Sequence, residues 1–197
     1  MNVPNKITIC RIALSVLLLI IMIFPVDKVG INFPEFQLAG KLVIDSKYLI
    51  CGIIFLIASL TDFLDGYLAR KYNLVTDIGK VMDAIADKIL VNGVLILFAT
   101  EGYISPIIPV VIVSRDIVVD SIKMVIGNKG HAVAAIGIAK VKTATLMIGI
   151  ILTLFYNLPF ELISLRISDF LLALAAILSV ISGVKYYMMA KPYLKDR

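Results

Sequence analysis

Tryptophan is absent from this chain, histidine occurs once and cysteine only twice. The single histidine, His131, falls in a polar, Gly-rich stretch over 128–139. It leaves no Ser–His or Cys–His arrangement from which a covalent intermediate could be built. A loop histidine can touch a phosphate, although solvation is its commoner fate. Cys10 and Cys51 sit in apolar stretches without metal-ligand spacing, so both read as small buried thiols. Charge is scarce as well: 17% of residues are charged and 60% are hydrophobic. No internal repeat or low-complexity segment is evident. A cleavable leader is not expected, because the first apolar run is long enough to span and no small-residue cleavage site follows it.

What is present is apolar sequence in long blocks. A mean hydropathy of +1.01 over 197 residues exceeds that of soluble domains and indicates a polytopic, all-α membrane protein. Six spans are expected, at 7–24, 48–70, 78–99, 106–126, from 143 to 156 and at 163–187. The connector 26–46, with Gly30, Pro34 and Gly40, has scattered apolar residues and suits a surface-lying segment. A basic tail, KPYLKDR, is expected beyond the last span. Lys and Arg collect at one set of span ends, among them Lys6, Arg70, Lys71, Lys80, Lys129, Lys185 and Lys191. The positive-inside bias therefore places both termini in the cytoplasm. One single membrane domain over 1–197 accounts for the layout, in a bacterial inner or plasma membrane with its site facing the cytoplasm. No nucleic-acid partner is expected.

The stretch from Asp62 to Asp87 carries the chemistry. Asp62 and Asp65 are three apart, Asp83 and Asp87 four apart, so each pair shares one face of its helix. If KYNLVTD is a tight joint, the helices run antiparallel, with Asp65 level with Asp83 and Asp62 level with Asp87. Carboxylates are not left inside a membrane without a strong partner. Two divalent cations, Mg²⁺ or Mn²⁺, would serve, since hard cations take carboxylate oxygens together with phosphates. Gly66 and Gly79 remove side chains where a phosphate would approach the backbone, and Arg70 is close enough to reach a diphosphate. Taken singly, these residues also suit a proton relay or ion site, packing notches and an interfacial charge.

The spacing D-x2-D-G-x2-A-R-x8-G-x3-D-x3-D, from Asp62 through Asp65, Gly66, Ala69, Arg70, Gly79 and Asp83 to Asp87, is complete here. With it stand the N-terminal VPNKITICR and the later SRDIVVDSIK and AKVKT. In these segments the chain resembles the CDP-alcohol phosphatidyltransferase family over most of its length. The resemblance is strongest to members whose acceptor is glycerol 3-phosphate. It implies transfer of a phosphatidyl group from CDP-diacylglycerol, with phosphatidylglycerophosphate and CMP as products. By the same resemblance, Asp62, Asp65, Asp83 and Asp87 hold two metals, and Asp62, Gly66, Ala69, Arg70 and Gly79 line the CDP site. Asp87 is also implied as the base for the acceptor hydroxyl, and a homodimer is expected.

A phosphorylated acceptor needs cations apart from the metals. Arg115 lies inside the fourth span, where an unpaired arginine is costly, and adjacent Asp116 points about 100° away around the helix, so it is not an obvious full neutraliser. Lys123 follows two turns on, and Lys140 and Lys142 begin the fifth span. As lysines at a cytoplasmic boundary they need no further role, but phosphate binding accounts for all four cations. Asn5, Thr8 and Arg11 match the family's P-N-x-x-T-x-x-R pattern as possible substrate contacts, or they start and anchor a helix. Asp116 and Lys123 stand where Glu and Arg are usual, MDAIADK lacks the usual proline, and Ala139 stands where Gly often does. These departures spare the aspartates and bear on acceptor choice. Phosphatidylglycerol (giving cardiolipin), inositol phosphate or serine are the alternative acceptors. A cation transporter using the Asp hairpin, or a non-catalytic lipid-binding protein, are the readings from other classes.

Overall fold

A computed structural model describes residues 3–24, 33–38, 42–72, 76–130 and 136–194. Six long helices dominate: α1 (Val3–Ile23), α2 (Ser46–Lys71), α3 (Asp77–Thr100), α4 (Ile107–Asn128), α5 (Gly137–Leu154) and α6 (Ile167–Leu194). Among the described residues, four stretches are long and apolar enough to cross a membrane: Asn5–Ile23, Ser46–Tyr67, Gly137–Leu154 and Ile167–Tyr193. Helices α3 and α4 are as long, but carry charges along their length, Asp83, Asp87 and Lys88 on one and Arg115, Asp116, Asp120 and Lys123 on the other. Ile20, Ile53, Leu60, Val110, Phe170, Ile177 and Met188 lie exposed on the helix surfaces. A soluble protein rarely leaves so much aliphatic surface uncovered, whereas hydrocarbon solvates it.

The chain divides into two compact units, one of residues 1–97 with 154–158, the other of residues 98–153 with 159–197. In the first, α1 packs along α2, and Leu18, Met22, Cys51, Phe55, Ala58, Ala86, Leu90 and Val94 are buried. Small residues let helices approach: a Cβ on Gly93 would stand 2.7 Å from both methyls of Leu19. In the second, α4 packs along α6 over Ile112, Val119, Ile122, Ile126, Leu172, Ala175 and Ala190.

The connector ahead of α2 is not merely irregular. It contains an antiparallel hairpin of β1 (Glu35–Leu38) and β2 (Leu42–Asp45), with Phe36 opposite Ile44. Asp45 then caps α2, its Oδ1 accepting from the Lys47 N–H at 2.7 Å, and Lys47 Nζ donates to the Met22 carbonyl at the end of α1. Three further expectations need correction. Cys10 is exposed rather than buried, since it lies on the outward side of α1. Helix α5 begins at Gly137, before Thr143. Helix α6 continues through Pro192 to Leu194 instead of ending at Tyr187, because a proline so near the end removes few of the helix's bonds. The joint at 73–75 and the histidine at 131 lie outside the described residues.

Candidate active site

Helix α3 starts where Thr76 caps it: the Gly79 N–H donates to Thr76 Oγ1 at 3.0 Å, the usual reach of an N-cap to the third residue. Asn5 of α1 donates to the same oxygen at 3.3 Å. Gly79 is needed at this crossing, since a Cβ there would lie 2.8 Å from Asn5 Oδ1 and 2.9 Å from Thr76 Oγ1. The start of α3 is thereby fastened to the first turn of α1, which brings Thr8 and Arg11 alongside the aspartates.

Arg11 is fully buried, and its guanidinium stands among all four carboxylates. Nη2 meets Asp83 at 2.7 Å and Asp65 at 3.5 Å. Nη1 pairs with Asp62 and meets Asp87 at 3.3 Å. Thr8 Oγ1 lies 2.9 Å from Asp83 Oδ1 and 3.1 Å from Asp65 Oδ2, and its proton serves one of them. The contacts sort the aspartates by level, Asp65 with Asp83 and Asp62 with Asp87, as an antiparallel pair of helices requires. Thr8 and Arg11 thus face carboxylates. A planar fork of donors is what lets one side chain serve both levels.

One guanidinium does not neutralise four carboxylates; three negative charges remain if all are ionised. Asp65 Oδ1 is buried without a hydrogen-bond partner among the described residues. An orphaned carboxylate oxygen in an all-oxygen donor set suits a hard divalent cation. Among the described residues, no three acidic, histidine or cysteine side chains are grouped closely enough to hold an ion in this arrangement; the guanidinium stands among them instead. The donor chemistry and the residual charge fit divalent cations held by Asp62, Asp65, Asp83 and Asp87. Gly66 is half-buried on α2, one residue past Asp65. The side chains of Ala69 and Arg70, in the last turns of α2, lie outside what the structure describes.

The second unit gathers the other cations. Arg115 donates from Nε to the Ser179 carbonyl at 3.1 Å, from Nη2 to Ser182 Oγ at 2.7 Å and from Nη1 to Asp116 Oδ1 at 2.8 Å. Lys142, buried on α5, reaches both oxygens of Asp116 at 3.1 and 3.0 Å. Asp116 thus pairs with Arg115 and Lys142 at once, so its one charge is shared between two cations, and the long Arg115 side chain bends to meet it. Lys123 lies over the ring of Tyr186, and Lys140 is exposed on the first turn of α5. Ser179, Ser182, Gly183 and Tyr186 of α6 were not singled out in the sequence. Small and hydroxyl residues in an apolar helix ordinarily mean packing, and KYY near a helix end ordinarily means an interfacial anchor.

The sequence profile of CDP-alcohol phosphatidyltransferase matches residues 1–181. A CDP-diacylglycerol–glycerol-3-phosphate 3-phosphatidyltransferase of Bacillus subtilis is 40% identical over 191 residues, covering 94% of this chain and 93% of its own. The protein so named in Rickettsia bellii is 34% identical over 193 residues, with 98% and 97% covered. That of Haemophilus influenzae is 35% identical over 171 residues, with 84% and 90% covered. With a family match across nearly the whole length and a buried arginine ringed by the signature aspartates, this chain belongs to the CDP-alcohol phosphatidyltransferase family.

Proposed function

We propose that this protein transfers the phosphatidyl group of CDP-diacylglycerol to glycerol 3-phosphate, giving phosphatidylglycerophosphate and CMP. The observation that carries the reaction is the gathering of Asp62, Asp65, Asp83 and Asp87 with a residual negative charge. The acceptor rests on Arg115 and Lys142, which suit a phosphate better than a neutral alcohol, and on the relatives of that name. Six spans with both termini in the cytoplasm, and a site opening to that side, complete the reading. The whole chain then works as one membrane domain.

In this reading Asp62, Asp65, Asp83 and Asp87 hold two Mg²⁺ or Mn²⁺ ions. When bound, these supply charge stabilisation for the diphosphate and the departing CMP. Asp62, Gly66, Ala69, Arg70 and Gly79 line the CDP side, where the Arg70 guanidinium offers a charge-assisted contact to phosphate. Arg115, Lys123, Lys140 and Lys142 receive the acceptor's phosphate. The hydroxyl oxygen forms the new P–O bond as the bond to the CMP oxygen breaks. Its proton passes to Asp87, at a carboxylate oxygen nearly half open on its side chain. Asn5, Thr8 and Arg11 act by holding α1 against α3 and by fixing the carboxylates. The proposed transfer is a direct displacement.

Direct transfer is tested by isotope exchange. Labelled CMP incubated with CDP-diacylglycerol and protein, without acceptor, must not enter the lipid nucleotide, because no phosphatidyl-enzyme forms. Acceptor-independent exchange at the rate of turnover would refute the displacement. Transfer that survives Asp83→Asn near wild-type rate would refute the site.

A further inference from the structure

Tyr186 is buried, 1% exposed, near the end of the largely apolar helix α6. A leucine would fill the space, yet this side chain meets charge on two sides. The Arg115 guanidinium carbon lies 5.5 Å from its ring centroid and Lys123 Nζ lies 4.9 Å from it. Both cations come from α4, eight residues apart, and like charges on one face repel. An aromatic face attracts both, because its quadrupole is negative there. The phenol is fixed in turn: its oxygen accepts the Ile136 N–H at 3.2 Å, one residue before α5, the helix that carries Lys140 and Lys142.

The surroundings keep the two cations usable. Arg115 gives Ser179, Ser182 and Asp116 one N–H each, so two of its N–H donors are left by these bonds. Lys123 has no ion-pair partner among the described residues; its ammonium rests on the ring. Gly183, one turn before Tyr186, lets the Arg115 stem lie against α6, since a Cβ there would come within 3.0 Å of Arg115 Cγ.

We infer that Tyr186 is a positioning residue for the anion site of the second unit: its ring holds Arg115 and Lys123 in the arrangement that receives the acceptor's phosphate. This rests on the acceptor reading given above and deepens it. The ring does not touch the reacting atoms. It lowers the ordering needed when a phosphate arrives, which appears as acceptor affinity and not as chemistry.

The test is steady-state kinetics of the full chain in lipid nanodiscs, with each substrate varied at saturating levels of the other. Tyr186→Leu is expected to raise the KM for glycerol 3-phosphate about ten-fold, with the KM for CDP-diacylglycerol within about two-fold. Tyr186→Phe, which keeps the ring, is expected to stay within about three-fold on both. A Tyr186→Leu enzyme with unchanged acceptor KM, with both KM values raised alike, or with only kcat lowered, overturns the inference. Should Tyr186→Leu not fold, pentafluorophenylalanine at 186 is compared with Tyr186→Phe. The volume is nearly kept and the ring face loses its negative charge, so acceptor KM must rise; equality of the two overturns the inference. Wild-type protein that makes no transfer to glycerol 3-phosphate overturns the acceptor reading and this inference together. Wild-type transfer with insensitive variants overturns this inference alone.

Discussion

Replacing Arg11 by methionine removes the guanidinium from the midst of four carboxylates while keeping a long apolar stem. Its effect on stability follows from how each pair is solvated. The side chains of Asp62, Asp83 and Asp87 are 36%, 42% and 47% exposed, so water screens those pairs and each is worth at most ~1 kcal/mol. Asp65 is 3% exposed against an arginine at 0%, and stripping the partner from a buried charge costs ~3–5 kcal/mol. The buried pair therefore decides the outcome. For a chain of this size, each kcal/mol moves the unfolding midpoint by roughly 2–4 °C, so a fall of about 10 °C is expected for Arg11→Met. Arg11→Lys keeps the charge but lacks the fork that serves both levels, so it should fall between the two. Thermal unfolding in nanodiscs, followed by scattering and intrinsic tyrosine fluorescence with chelator present, measures all three. A midpoint for Arg11→Met within about 2 °C of wild type would refute this estimate, because the buried Asp65 carboxylate would then not depend on the guanidinium.

Other consequences are more local. Asp87→Asn removes the proposed proton acceptor and a proposed metal ligand, and should lower CMP release at least ~100-fold with the fold intact by circular dichroism. The same substitution should weaken Mn²⁺ binding, read by the paramagnetic resonance of free ion. Thr76→Ala uncaps α3 and loosens its tie to Asn5; a loss of ~1 kcal/mol is expected, with faster hydrogen exchange at the Gly79 amide. Gly93→Ala drives a methyl to 2.7 Å from the Leu19 methyls, and the repacking of α1 on α3 should cost ~1–3 kcal/mol in unfolding experiments.

The helices were legible because their apolar runs are long, and the aspartate face because spacings of three and four are helical. What joins those faces to the rest was not. Arg11 reads as a possible substrate contact or an interfacial anchor until α1 is packed against α2 and α3, and its contacts with Asp62 and Asp87 are 51 and 76 residues away in sequence. Asp116 follows Arg115 directly, and a helical wheel separates the two. Only the length of the arginine side chain, bent back and held by Ser179 and Ser182, closes the pair. Tyr186 shows the same limit, since nothing in KYY distinguishes an interfacial anchor from a ring buried under two cations. The pairing of Glu35–Leu38 with Leu42–Asp45 was hidden because it is a local matter of four-residue strands within a Gly- and Pro-bearing connector.

The central claim is phosphatidyl transfer to glycerol 3-phosphate. Its most direct test is purified protein in liposomes given CDP-diacylglycerol, Mg²⁺ or Mn²⁺, and one acceptor at a time, with CMP and lipid product both quantified by mass. One phosphatidylglycerophosphate is expected for each CMP, only with glycerol 3-phosphate, and neither product once the cation is chelated. CMP released with phosphatidylglycerol or inositol phosphate but not with glycerol 3-phosphate would contradict the acceptor. No release with any of them, from folded protein, would contradict the reaction.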